Sequence, residues 1–79
     1  MPAPTHKLIG CRDFQGKIPV PAGTVRVKSE RMTDGSGRVQ HFYRYPDTGA
    51  WYRIRSISGK QGAWTLCEFV SKDCPCSAP

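Results

Sequence analysis

Four runs rich in β-branched and aromatic residues occupy positions 24–32, 38–45, 50–57 and 63–70, with apolar and polar residues alternating along much of each. A repeat of two places alternate side chains on opposite faces of a strand. The runs are separated by TDGSG (33–37), PDTG (46–49) and SGKQG (58–62). Strands of this length, punctuated by glycine-containing loops, predict an antiparallel meander. A further short strand is expected over 7–14. The connector QGKIPVPAG (15–23) holds two prolines and two glycines, which favour extended chain over helix. Apolar residues do not recur at helical spacing over any long stretch, so no helix is expected. The expected fold is all-β: a small antiparallel meander of four to five strands over 7–71, compatible with an SH3-like half-open barrel. Residues 1–6 and 72–79 read as a loose N-terminal tail and an irregular, cysteine-containing C-terminal tail.

Turn chemistry predicts registers. A PDTG loop suits a type I turn closed by a left-handed glycine. It places Tyr45 opposite Ala50, Tyr43 opposite Tyr52 and His41 opposite Ile54. On the other side Arg44 faces Trp51, Phe42 faces Arg53 and Gln40 faces Arg55. Pairing Met32 with Arg38 sets Val25 and Val27 opposite Tyr45 and Tyr43. Pairing Ile57 with Ala63 sets Ile54 on Leu66 and Ser56 on Trp64. One face then holds Val25, Val27, Val39, His41, Tyr43, Tyr45, Tyr52, Ile54, Trp64, Leu66 and Val70, and reads as core. The other carries Arg26, Lys28, Gln40, Phe42, Arg44, Trp51, Arg53, Arg55, Cys67 and Phe69, and reads as a basic surface set with rings. A slip of one residue in any hairpin would move a whole strand to the other face.

Size limits how many rings are spare. A chain of 79 residues is one domain and buries only about 60% of its unfolded surface, so it needs most large side chains for packing. Charge adds a direction. The net charge is +6, and between Arg26 and Lys60 eight basic residues meet only three acids. Such a chain tends to meet acidic partners, whether nucleic acid or an acidic protein surface. No stretch is apolar enough to span a bilayer, and MPAPTHKLIG has no apolar leader core, so a cytoplasmic protein without membrane contact is expected.

The candidate binding set is therefore Arg26, Lys28, Phe42, Arg44, Trp51, Arg53 and Arg55. Cations neutralise phosphates, and exposed rings stack on unpaired bases. The competing reading packs Phe42, Trp51 and Phe69 under the N-terminal segment, with arginines lying over them in cation–π contact.

Cys11, Cys67, Cys74 and Cys76 allow three states. Free thiols suit a chain with no export signal. Disulfides are the second option, with Cys11 or Cys67 favoured as partners of the tail because a Cys74–Cys76 bond would be strained. A four-cysteine zinc site is the third, with spacing that departs from the usual paired motif.

His41 falls on the core face and reads as packed or hydrogen-bonded, and the six acids are scattered. Asp34-Gly35-Ser36-Gly37 is a hairpin turn and not a phosphate loop, since no helix or Lys-Ser/Thr follows. No enzyme activity and no cofactor are expected. Two functions remain: a nucleic-acid-binding module, or a protein-binding inhibitor or adaptor of the kind phages and other mobile elements carry. A homodimer through an unpaired edge strand, 24–32 or 63–70, is a further expectation.

Overall fold

The computed structural model describes residues 6–75. Five strands form one antiparallel sheet: β1 (His6–Gln15), β2 (Val25–Arg31), β3 (Val39–Tyr45), β4 (Ala50–Ser56) and β5 (Ala63–Ser71). Their order is β1-β5-β4-β3-β2. The chain runs as a meander from β2 to β5, and β1 lies against the outer side of β5. The sheet is open, with β1 and β2 at its edges. Among the described residues there is no helix.

The turns set the register largely as their residues require. Gly49 sits at φ 73° and donates its N–H to the Tyr45 carbonyl at 2.8 Å, closing the β3–β4 hairpin. Tyr45 then pairs with Ala50 and Gln40 with Arg55. Across the next hairpin Ile54 pairs with Leu66 and Ser56 with Trp64.

The β2–β3 hairpin starts as expected, with the Met32 N–H on the Arg38 carbonyl at 2.8 Å. A β-bulge between Arg26 and Lys28 then shifts the pairing by one residue. An extra residue on one strand moves everything beyond it to the opposite face. Val25 therefore pairs with Arg44 and Arg26 with Tyr43, the reverse of the faces expected for both. The expected edge also needs correction. The 63–70 strand is internal, because β1 covers one side of it and β4 the other.

Both faces of the sheet carry core. On one, Tyr52, Ile54 and Leu66 are buried, with Phe14, Val20, Tyr43, Tyr45, Ala50 and Trp64 packed around them. On the other, Phe42, Trp51, Cys67 and Phe69 are buried and Cys74 packs against them. The adjoining Pro75 is fully buried. The segment over this second cluster is thus C-terminal, whereas the N-terminal connector supplies Val20 to the first. Val25, Val27, Val39 and Val70, expected in the core, are exposed because they lie on the edge strand or near strand ends.

The cysteines are oxidised. β1–β5 pairing sets Cys11 directly opposite Cys67, and the two form a disulfide. Cys74 is disulfide-bonded too, and Cys76 lies outside the described residues. The free-thiol expectation is overturned, as is the pairing of Cys11 or Cys67 with the tail. The bridge spans 56 residues of sequence, and chain entropy gives a loop of that size about 4 kcal/mol of stabilisation.

Gly49→Ala is expected to lose about 1–2 kcal/mol in urea unfolding, the cost of placing a Cβ in the left-handed region. Gly10→Ala serves as its contrast, because a Cβ there meets nothing within 4 Å, and it should leave the midpoint unchanged or raised.

Candidate basic-aromatic face

Three cross-strand rows build the face. Lys28, Phe42, Arg53, Cys67 and Cys11 form the first, running from β2 through β3, β4 and β5 to β1. Val25, Arg44, Trp51, Phe69 and Leu8 form the second. Glu30, Gln40, Arg55, Thr65 and Asp13 form the third. Of the seven residues expected at a binding site, six share this face: Lys28, Phe42, Arg44, Trp51, Arg53 and Arg55. Arg26 alone is carried to the other side by the bulge.

The rings are buried. Phe42 is 0% exposed, Trp51 6% and Phe69 2%. The Arg44 guanidinium carbon lies 5.8 Å from the Trp51 ring centroid, and that of Arg53 lies 5.5 Å from Phe69. At that separation a cation is attracted to the negative face of a ring. In this conformation the rings serve the arginines, and Phe42 has no face to offer a base.

Arg53 is the most constrained of the set. It is buried in the central strand, with Phe42 and Cys67 directly across from it. One Nη2–H donates to the Cys67 sulfur at 3.7 Å, and Nε has no hydrogen-bond partner among the described residues. Burial, and then the neighbouring charge of Arg55, hold its pKa below the ordinary guanidinium value. It remains a cation at neutral pH nonetheless.

Two other buried donors on this face, Arg44 Nε and Trp51 Nε1, also lack an acceptor among the described residues. Two acids of this face have other partners. Glu30 pairs with Lys28, and Asp13 accepts from the Thr65 hydroxyl at 2.8 Å. None of Arg44, Arg53 and Arg55 forms an ion pair with a described carboxylate.

At one end the face opens into a polar recess of about 260 Å³ lined by Asp13, Asp34, Arg38 and Arg55 among others. Arg38, which sequence reasoning did not single out, is held there. It reaches Asp34 at 3.2 Å and the Ser56 carbonyl at 2.6 Å. Its spacing of four residues from Asp34 across a tight turn was the available signal. Hydrogen bonds from the Ser36 side chain and backbone, reinforced by Arg38, keep the Asp34 carboxyl below its usual range.

On the opposite face His41 Nδ1 shares a hydrogen bond with the Ser29 hydroxyl at 2.8 Å. A recess of about 380 Å³ there lies between β1 and the proline connector, lined in part by Tyr52, Leu66 and Glu68. Burial, and then Glu68, push the Tyr52 phenol above its usual value.

Cys11 and Cys67 are committed to their disulfide and so offer no thiolate to a metal in this form. Among the described residues no group of three or more His, Cys, Asp or Glu is arranged to hold an ion. No helix among them is long and apolar enough to cross a membrane. Comparison with family models, with curated proteins and with solved structures finds no match.

Phe42→Ala is expected to cost about 3–5 kcal/mol in chemical unfolding, as a buried ring does, whereas a surface ring would cost under about 0.5. A pH series reports on Tyr52. Its proton is held more tightly in the folded chain than in the unfolded one. Stability is therefore unaffected below the usual phenol value of 10.0 and falls as pH rises past it. Tyr52→Phe should flatten that alkaline limb.

Proposed function

We propose that the protein is a non-enzymatic binding module that engages nucleic acid through its phosphates, using this face. The observation that carries the reading is the set Arg44, Arg53 and Arg55: three guanidiniums on one sheet face, none in an ion pair with a described carboxylate. A face rich in donors and poor in available acceptors suits an anionic ligand. Because the rings are buried, the attraction rests on charge and counterion release, with little base stacking. Binding is then tolerant of sequence and steeply dependent on salt. Arg44 and Arg55, both only half-buried, make the phosphate contacts, and Arg53 adds field from beneath.

A second reading is a protein partner, and one observation favours it. The edge strand β2 exposes Val25 and Val27 beside Arg26 and Lys28, and its outer backbone groups have no strand neighbour among the described residues. An extended acidic segment of another protein could add to such an edge.

Titration of a random-sequence duplex between about 50 and 200 mM salt tests the first reading. Arg44→Gln with Arg55→Gln is expected to weaken binding for all sequences alike. The same pair should reduce the slope of log affinity against log salt by about 1.8. Failure of the wild-type protein to bind at the lowest salt would overturn the nucleic-acid reading, and so would an unchanged slope.

A further inference from the structure

We propose that Cys11 is a site of reversible S-thiolation by small thiols, with Cys67 as the leaving group and Arg53 as the cation that receives it. The two ends of this disulfide are unlike. Cys11 lies exposed on the edge strand β1, whereas Cys67 is fully buried in the interior strand β5. An incoming thiolate therefore reaches the Cys11 sulfur and not the Cys67 sulfur. Exchange rates depend on which sulfur is accessible and on how stable the departing thiolate is.

The departing sulfur is met by a waiting charge. The Arg53 Nη2 lies 3.7 Å from Cys67 Sγ, Arg53 is buried, and it has no ion pair with a described carboxylate. A guanidinium beside a thiolate lowers its pKa and makes it a better leaving group. In the disulfide form that sulfur is a neutral, weak acceptor. Once cleaved it becomes an anion beside a buried cation that pairs with no described carboxylate.

The step balances as ordinary exchange. The small thiol first loses its proton to solvent. Its sulfur lone pair forms a new S–S bond to Cys11 as the Cys11–Cys67 bond breaks, and that bond's electron pair leaves on Cys67. One disulfide forms and one is lost, so no net oxidant is consumed. A second thiolate can release Cys11 and carry away the small disulfide, and reversal restores the bridge. The covalent tie between β1 and β5 would thereby open in a reducing compartment and close in an oxidising one.

The test uses the full oxidised chain and reduced glutathione as the probe. The reaction is quenched with acid, free thiols are alkylated, and peptides are mapped by mass. Glutathione on Cys11 with the alkyl group on Cys67 is the expected result. Glutathione on Cys67, or shared equally between the two, would overturn the proposal. The role of Arg53 is read from rates. Without the cation the Cys67 thiolate is a poorer leaving group, so exchange is expected to be several-fold slower in Arg53→Gln. Arg53→Lys, which keeps the charge, should recover part of that loss, and Lys60→Gln should leave the rate unchanged. An Arg53→Gln rate equal to wild type, with folding confirmed by circular dichroism, would remove Arg53 from the mechanism. If that variant does not fold, peptide mapping of the wild-type chain decides the site by itself.

Discussion

The structure depends on burying β4 from both sides at once. Trp51, Tyr52, Arg53 and Ile54 are consecutive and all buried, so each face of the central strand needs a cover. No helix is available among the described residues, and the chain supplies its covers from irregular segments. Val20 of the proline connector packs on the Tyr52–Ile54 side, and Cys74 packs on the Trp51 side. A sheet this small with one dry face would leave too little apolar area buried to offset the ordering of its backbone.

That constraint explains the position of Arg53. Alternation along a doubly buried strand leaves no solvent-facing slot, so the residue between Trp51 and Arg55 goes inward whatever its charge. A lone buried cation is costly, and the fold offsets this with soft partners: the Phe69 ring, the disulfide sulfur and the stem's packing on Phe42. The same arrangement links the two chemical proposals. In both proposals, guanidiniums that pair with no described carboxylate would meet an anion: an external one at the half-buried positions and an internal one, the Cys67 thiolate, at the buried position. As proposed, phosphate contact falls to Arg44 and Arg55 and thiol exchange to Cys11 and Cys67, with Arg53 contributing to both, so variants at the unshared residues separate the two by experiment.

Much of the sheet was legible in the sequence because turns act locally. The PDTG and SGKQG loops fix two registers through their glycines, and the face partners of β4 follow. What the sequence did not disclose is long-range or irregular. The bulge at Val27 carries no glycine or proline to mark it, yet it exchanges the faces of Val25 and Arg26. The pairing of β1 with β5 joins residues 48 to 65 apart in the chain, and only that pairing brings Cys11 to Cys67. The rings share a face with the arginines, as the alternation of side chains along each strand predicts. Whether they would be covered depended on where Cys74 and Pro75 fold, and the tail's composition says nothing about that. An expected stacking surface is, in this conformation, a second core, with Arg53 buried in it and Arg44 and Arg55 half-buried.

The rings of the basic face are interior. Acrylamide quenching of Trp51 fluorescence, measured in a Trp64→Phe background so that one indole reports, tests it most directly. A blue-shifted emission with quenching far below that of the urea-unfolded chain is the predicted result. Emission at the wavelength of a water-exposed indole, quenched as readily as in the unfolded chain, would show an open ring surface and contradict the account.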